Sequence, residues 1–141
     1  AHTSQAAISF IRDHTQRPFT TLESAAASAA GGAVDCDAEL IVVVTGTGAA
    51  SRVMSKYRPS CPVLVVTADE AVGRQTGAIF AQFPMVVDDL SPGKFAWDKE
   101  SPAIAKAKEM GLYSGNGSNI VVLAGPGGGD ADKCPLVSFL E

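Results

Sequence analysis

The sequence predicts an α/β fold, a three-layer αβα arrangement around an open, mostly parallel sheet with an antiparallel strand at one edge. Three observations predict it. Apolar runs at 40–44, 62–67 and 119–124 show no polar alternation, which marks strands covered on both faces. Stretches of helical periodicity separate these runs, so crossover helices lie on both faces of the sheet. The last run, 135–140, follows a short glycine loop and opens on Pro135, as an edge strand does.

Each element has its own signals. Residues 3–16 read as a helix with Ala7, Ile8 and Ile11 on one side, stopped by Pro18. Thr20 or Thr21 caps a second helix with Glu23 or Ser24 in its first turn, and Gly31-Gly32 is expected to fray or bend it. The strand at 40–44 ends in Thr45-Gly46-Thr47-Gly48. A short helix then spans 49–57, with Val53 and Met54 inward and Pro59 beyond its end. The next strand, 62–67, precedes a helix capped by Asp69 that is expected to reach about Phe80. Met85, Val86 and Val87 form a third, shorter strand. Ser101-Pro102 opens another helix, which runs to Met110 with Gly111 as its C′ residue. The strands at 119–124 and 135–140 complete the sheet, the early strands parallel with right-handed crossovers.

The chain of 141 residues suits one domain. With 46% hydrophobic and 18% charged residues it reads as globular rather than disordered. Net charge is −4 and the pI about 5.1, with Lys and Arg scattered, so nucleic-acid binding is not expected. No apolar run approaches a membrane span, and residues 1–16 lack a signal-peptide h-region. The first residue is Ala rather than Met, which suggests a processed chain or a part of something longer. Cys36, Cys61 and Cys134 are odd in number and form no CxxC pair. They read as small buried hydrophobes in a reducing compartment, the cytosol.

Chemistry in an open α/β sheet sits beyond the carboxyl ends of the strands, and two glycine-rich segments occupy such places. In the first, Thr45, Gly46, Thr47, Gly48, Ala49, Ala50 and Ser51 lead from strand to helix. Backbone N–H groups at a helix start form an anion nest that the helix dipole reinforces. The Thr45, Thr47 and Ser51 hydroxyls can add donors to a phosphate. The same residues also suit plain turn and cap formation, and the loop is neither a Walker loop nor a dinucleotide fingerprint. The second segment, Gly125-Pro126-Gly127-Gly128-Gly129-Asp130, suits a backbone-to-ligand approach or a flexible hairpin tip. Between them, Trp97 can stack on a ligand or lie under a loop, and Lys99 can meet an anion. His2 and His14 read as solvated, and Asp88-Asp89 as either a solvated turn or a weak Mg²⁺ candidate.

Four segments carry a family resemblance. They are TLESAAASAA, AELIVVVTGTGAASRVMSKYRPSCPVLVVT, AVGRQTGAIFAQFPMVV and AKEMGLYSGNGSNIVVLAG, with Lys56-Tyr57-Arg58-Pro59 and Pro62 the most specific. In this order they resemble the C-terminal domain of pyruvate kinase over roughly residues 20–141, with residues 1–19 corresponding to the preceding helix. The resemblance implies a regulatory domain with subunit contacts, in a homo-oligomeric parent, and a site for a phosphorylated effector such as a sugar bisphosphate. Thr45, Thr47, Gly48 and the adjoining backbone fall on the family's phosphate loop, usually Thr-x-Ser-Gly-Arg-Ser. Here Ala49 stands in place of Arg and Ala50 in place of the second Ser, with Ser51 beside them. Lys99 falls near a residue that meets a second phosphate, and residues 125–129 fall on the effector-loop lid. The family's Mg²⁺ and K⁺ ligands and its phosphoryl-transfer lysine lie in a barrel outside these residues, so this chain alone is expected not to transfer phosphate. A free-standing phosphometabolite-binding module is the alternative, and a small α/β enzyme using Asp88 or Asp89 with a metal is a third reading.

Overall fold

The structure, a computed structural model, describes residues 5–14, 20–79, 81–93, 97–115 and 118–141. In chain order these form α1 (Gln5–His14), α2 (Thr21–Asp35), β1 (Leu40–Val44), α3 (Ala49–Lys56), β2 (Val63–Thr67), α4 (Glu70–Thr76), β3 (Gln82–Val86), α5 (Pro102–Glu109), β4 (Ile120–Ala124) and β5 (Leu136–Leu140). The five strands lie in the order β3-β2-β1-β4-β5. All neighbours are parallel except β4 and β5, whose antiparallel register places Val122 opposite Ser138.

β1, β2 and β4 are buried along their whole length, as their unbroken apolar runs require. Successive side chains point to opposite faces. Ile41, Val43, Val63, Val65, Val121 and Leu123 meet Ile8 of α1, the alanines of α2 and Met54 of α3. Leu40, Val42, Val44, Leu64, Ile120 and Val122 meet Ala103, Ile104 and Ala107 of α5 on the other face. Each fully buried aliphatic side chain contributes roughly 1.5–3 kcal/mol, so these two layers supply most of the drive to fold.

Three elements depart from the sequence reading. α2 continues through Gly31-Gly32 to Asp35, because tertiary contact outweighs local propensity there. Ala33 is buried, and Gly32 sits so close beneath Phe139 of β5 that a Cβ would lie 2.7 Å from the ring. β3 begins at Gln82, earlier than expected, and includes Pro84. It is the edge strand opposite β5, where a missing N–H is tolerated. α4 ends at Thr76, short of the expected Phe80, which lies outside the described residues. The expected extensions of α1 to residues 3–4 and 15–16 lie outside them as well.

The caps follow the sequence. Thr20 Oγ1 accepts the Glu23 N–H at 3.0 Å, and Asp69 Oδ1 accepts the Ala71 N–H at 2.8 Å. Glu23 does not reach back to its own cap. Its carboxylate accepts from the Tyr57 hydroxyl and from Lys56 Nζ at 2.9 Å, tying the start of α2 to the end of α3.

Strand order positions the site. From β1 the chain steps outward to β2 and β3, then crosses back to β4 on the other side of β1. The carboxyl ends of β1 and β4 therefore flank the point where the winding reverses, the usual location of a ligand crevice in such sheets.

Candidate functional site

At that reversal point Thr45 follows the last residue of β1, and Gly48, at φ +87°, turns the chain into α3. A left-handed residue at this position calls for glycine. The loop gathers its donors into a nest. Thr47 N–H, Ala50 N–H and the hydroxyls of Thr45 and Thr47 converge on one point.

That point holds the carboxylate of Asp132. Its Oδ1 accepts from Thr45 Oγ1 at 2.7 Å and from Ala50 N at 3.1 Å. Its Oδ2 accepts from Thr47 Oγ1 at 2.7 Å and from Thr47 N at 2.9 Å. Burial raises the Asp132 pKa, but the hydrogen bonds from Thr45, Thr47 and Ala50 more than offset this and hold it below the ordinary carboxylate value. Further loop donors bond within the loop, the Ala49 N–H to Thr47 Oγ1 at 3.3 Å among them. Gly48 N–H donates to Thr45 Oγ1 at 2.9 Å, and the buried Ser51 hydroxyl donates to Gly48 O at 3.0 Å. Ser51 therefore points back into its own helix rather than into the nest.

Asp132 arrives on the segment that joins the glycine loop to β5. Ala131 N–H donates to Val44 O at 2.9 Å, and Asp132 N–H donates to Asp130 Oδ1 at 2.8 Å. The Asp130 carboxylate covers Gly46, where a Cβ would lie 2.7 Å from Oδ2. The sequence reading missed Asp132. The one local signal was an acid placed just past the glycine run, at the neighbouring strand's carboxyl end.

The glycine loop is a packed turn. Pro126–Gly128 forms a single 3-10 turn, and a Cβ at Gly125 would fall 1.9 Å from Asp130 O. Gly93 N–H donates to Gly127 O at 2.8 Å. Trp97 closes on the same loop, its Nε1 donating to Gly128 O at 2.9 Å. Trp97, Gly125, Gly127 and Gly128 line a cavity of about 240 Å³ with Val122, Ala124, Leu136 and Ser138. Val122 and Ala124 belong to the α5 face, whereas the nest adjoins α3 and Ala131 on the other face. The glycine loop thus lies between the nest and the Trp97 cavity.

Lys99 is not brought to either place. It lines a separate cavity of about 460 Å³ with Ile104, Lys108, Tyr113 and Gly115. There it is a minor contributor to the lowered pKa of Glu39, whose main cause is a hydrogen bond from Ser118. Asp89 Oδ1 accepts from Ser91 N at 2.8 Å and Ser91 Oγ at 2.6 Å in an exposed turn. His14 stacks on Phe10 with its Nδ1 2.8 Å from Phe10 O, and His2 lies outside the described residues. Among the described residues no group of three or more His, Cys, Asp or Glu side chains could hold a metal ion, and no helix is long and apolar enough to cross a membrane.

Comparison with known proteins places the fold. A family model described as the pyruvate kinase alpha/beta domain matches residues 23–136. The chain belongs to the pyruvate kinase alpha/beta domain family. Pyruvate kinase of Lachancea kluyveri is 33% identical over 118 residues, covering 82% of this chain and 23% of that protein. Pyruvate kinase 2 of Saccharomyces cerevisiae is 31% identical over 122 residues, covering 84% and 24%. The solved structure of Cryptosporidium parvum pyruvate kinase in complex with ADP superposes with a TM-score of 0.79 at 26% identity, covering 95% of this chain and 26% of that one. The chain thus spans about a quarter of the length of the pyruvate kinases it matches. Its α/β fold, parallel core and antiparallel edge are those of a pyruvate kinase C-terminal domain.

Proposed function

We propose that this chain serves as the C-terminal regulatory domain of a cytoplasmic pyruvate kinase. The parent would convert phosphoenolpyruvate and ADP to pyruvate and ATP in a barrel outside these residues, where its Mg²⁺ and K⁺ would also bind. The domain would contribute subunit contacts to a homo-oligomer and receive a phosphorylated effector, a sugar bisphosphate.

The observation that carries this reading is the anion nest at the winding reversal, built from Thr45, Thr47 and the first turn of α3. Such a nest stabilises one anionic group through oriented N–H and O–H donors. One effector phosphate would take the place of the Asp132 carboxylate on Thr45, Thr47 and Ala50, with the Gly125–Gly128 loop, braced by Trp97, as cover. Exposed Leu136 and Phe139 on the edge strand β5 support the subunit-contact role.

The test is phosphotransfer by the complete reading frame, with and without fructose 1,6-bisphosphate, beside the 141-residue chain alone. Activity in the long chain that responds to the bisphosphate, with none in the short one, is expected. A reading frame without an upstream barrel, or activity indifferent to every sugar bisphosphate, overturns the regulatory reading.

A further inference from the structure

We infer that Asp132 is a tethered competitor for the anion nest, so that an effector phosphate enters only by expelling this carboxylate. The inference rests on the effector reading above and adds its regulation.

The donor inventory carries it. The nest offers two hydroxyls and two backbone N–H groups, and the two oxygens of Asp132 take all of them, two on each oxygen. Ser51 and the Gly48 N–H are committed within the loop. A phosphate arriving while Asp132 stays in place would find these four donors taken and would face two carboxylates, Asp132 and Asp130. The nearest cation of the loop, Arg52, directs Nη1 to Thr47 O at 3.3 Å. Binding and displacement are therefore one event.

The tether sets the strength of the competition. Asp132 lies 82 to 87 positions from its partners in sequence, yet the Ala131 N–H bond to Val44 O and its own N–H bond to Asp130 hold the backbone in place. A tethered group acts at an effective concentration on the order of millimolar or above. The apparent affinity of a free anion falls by the fraction of molecules in which the nest stands open, so an open fraction of about 1% weakens binding about a hundredfold.

The experiment titrates the 141-residue chain and its Asp132→Ala and Asp132→Asn variants with inorganic phosphate and with fructose 1,6-bisphosphate by calorimetry. Thermal unfolding is followed in parallel. Both variants are expected to bind at least about tenfold more tightly than the parent chain, and phosphate is expected to raise their Tm more than the parent's. Thr45→Val with Thr47→Val in the Asp132→Ala background should abolish the gain. Asp132→Asn preserves side-chain volume and keeps the comparison valid if the alanine variant fails to fold. Equal binding by all three chains overturns the competition and leaves the effector reading standing. Binding by none of them, each shown folded by its cooperative melt, overturns the effector reading and the competition with it.

Discussion

Tyr57→Phe isolates one hydroxyl whose loss has a calculable cost. Tyr57 is among the largest fully buried side chains, at 0% exposure, and its hydroxyl donates to the Glu23 carboxylate, itself only 9% exposed. The second partner of Glu23, Lys56, has a side chain 41% exposed, so that ion pair is worth at most about 1 kcal/mol. A hydrogen bond to a charged group contributes about 1.5–3 kcal/mol, and the Glu23 Oε1 that loses the hydroxyl keeps only the half-exposed Lys56 Nζ. Phenylalanine keeps the ring and its packing, so no cavity term enters. The expected loss is therefore about 2 kcal/mol, a Tm decrease of roughly 6–10 °C for a chain of this size.

Urea unfolding of the parent chain, Tyr57→Phe, Glu23→Gln and the double variant measures it. The double-mutant cycle should give a Glu23–Tyr57 coupling above about 1 kcal/mol, because the residues touch. A Tyr57→Phe loss under about 0.5 kcal/mol, or a coupling near zero, refutes the claim that this contact locks α2 to α3.

Gly125→Ala is expected to cost at least about 2–3 kcal/mol in urea unfolding, because its Cβ would fall 1.9 Å from backbone oxygen of Asp130, which has no rotamer to yield. Burial pushes the Cys61 thiol up to about 12, so native Cys61 should resist alkylation at pH 8 while exposed Cys134 reacts, as read by mass spectrometry. The Asp132 carboxyl titrates below its ordinary value in the folded chain. Its contribution is thus complete above the unfolded value of 3.8 and is lost as pH falls through the lower folded value. The stability gap between the parent chain and Asp132→Asn, measured in urea, should accordingly be constant from pH 7 to about 5 and close in stronger acid.

What local pattern can reveal, the sequence of this domain does reveal. An unbroken run such as Leu-Ile-Val-Val-Val has no polar face to offer solvent, so it must be covered twice, and β1 is. The Asp69 cap and the Gly111 terminator are short-range hydrogen-bonding and dihedral requirements, and both stand where the residues put them. The failures share a cause: each depends on a distant partner. Two glycines in a helix cost about 2 kcal/mol by propensity, yet α2 runs through them because Ala33 is buried and Gly32 lies under Phe139, more than a hundred positions away. β3 starts at Gln82 and takes in Pro84, three residues earlier than the local pattern put it, because the strand order makes it an edge where proline is tolerated. Lys99 follows Trp97 by two positions, yet only Trp97 meets the glycine loop, and the first turn before α5 sends Lys99 to another cavity.

The nest shows how far loop chemistry alone can be taken. Thr45, Thr47 and the helix start are legible as converging donors, and the group they hold is the carboxylate of Asp132. Local pattern does not disclose that the anion is covalently attached. Charge supplies the reason a carboxylate suits this loop. A helix start offers roughly half a positive charge, and Ala49 and Ala50 add no cation and no hydroxyl. A carboxylate carries one negative charge and needs only the donors present, whereas a phosphate near neutral pH carries close to two and wants an additional cation. The loop therefore matches a monoanion better than a phosphate ester, and Asp132 is a monoanion delivered at fixed position by the glycine loop and Val44. Any effector of this domain must supply enough contact elsewhere, at the glycine loop or the Trp97 cavity, to make up the difference.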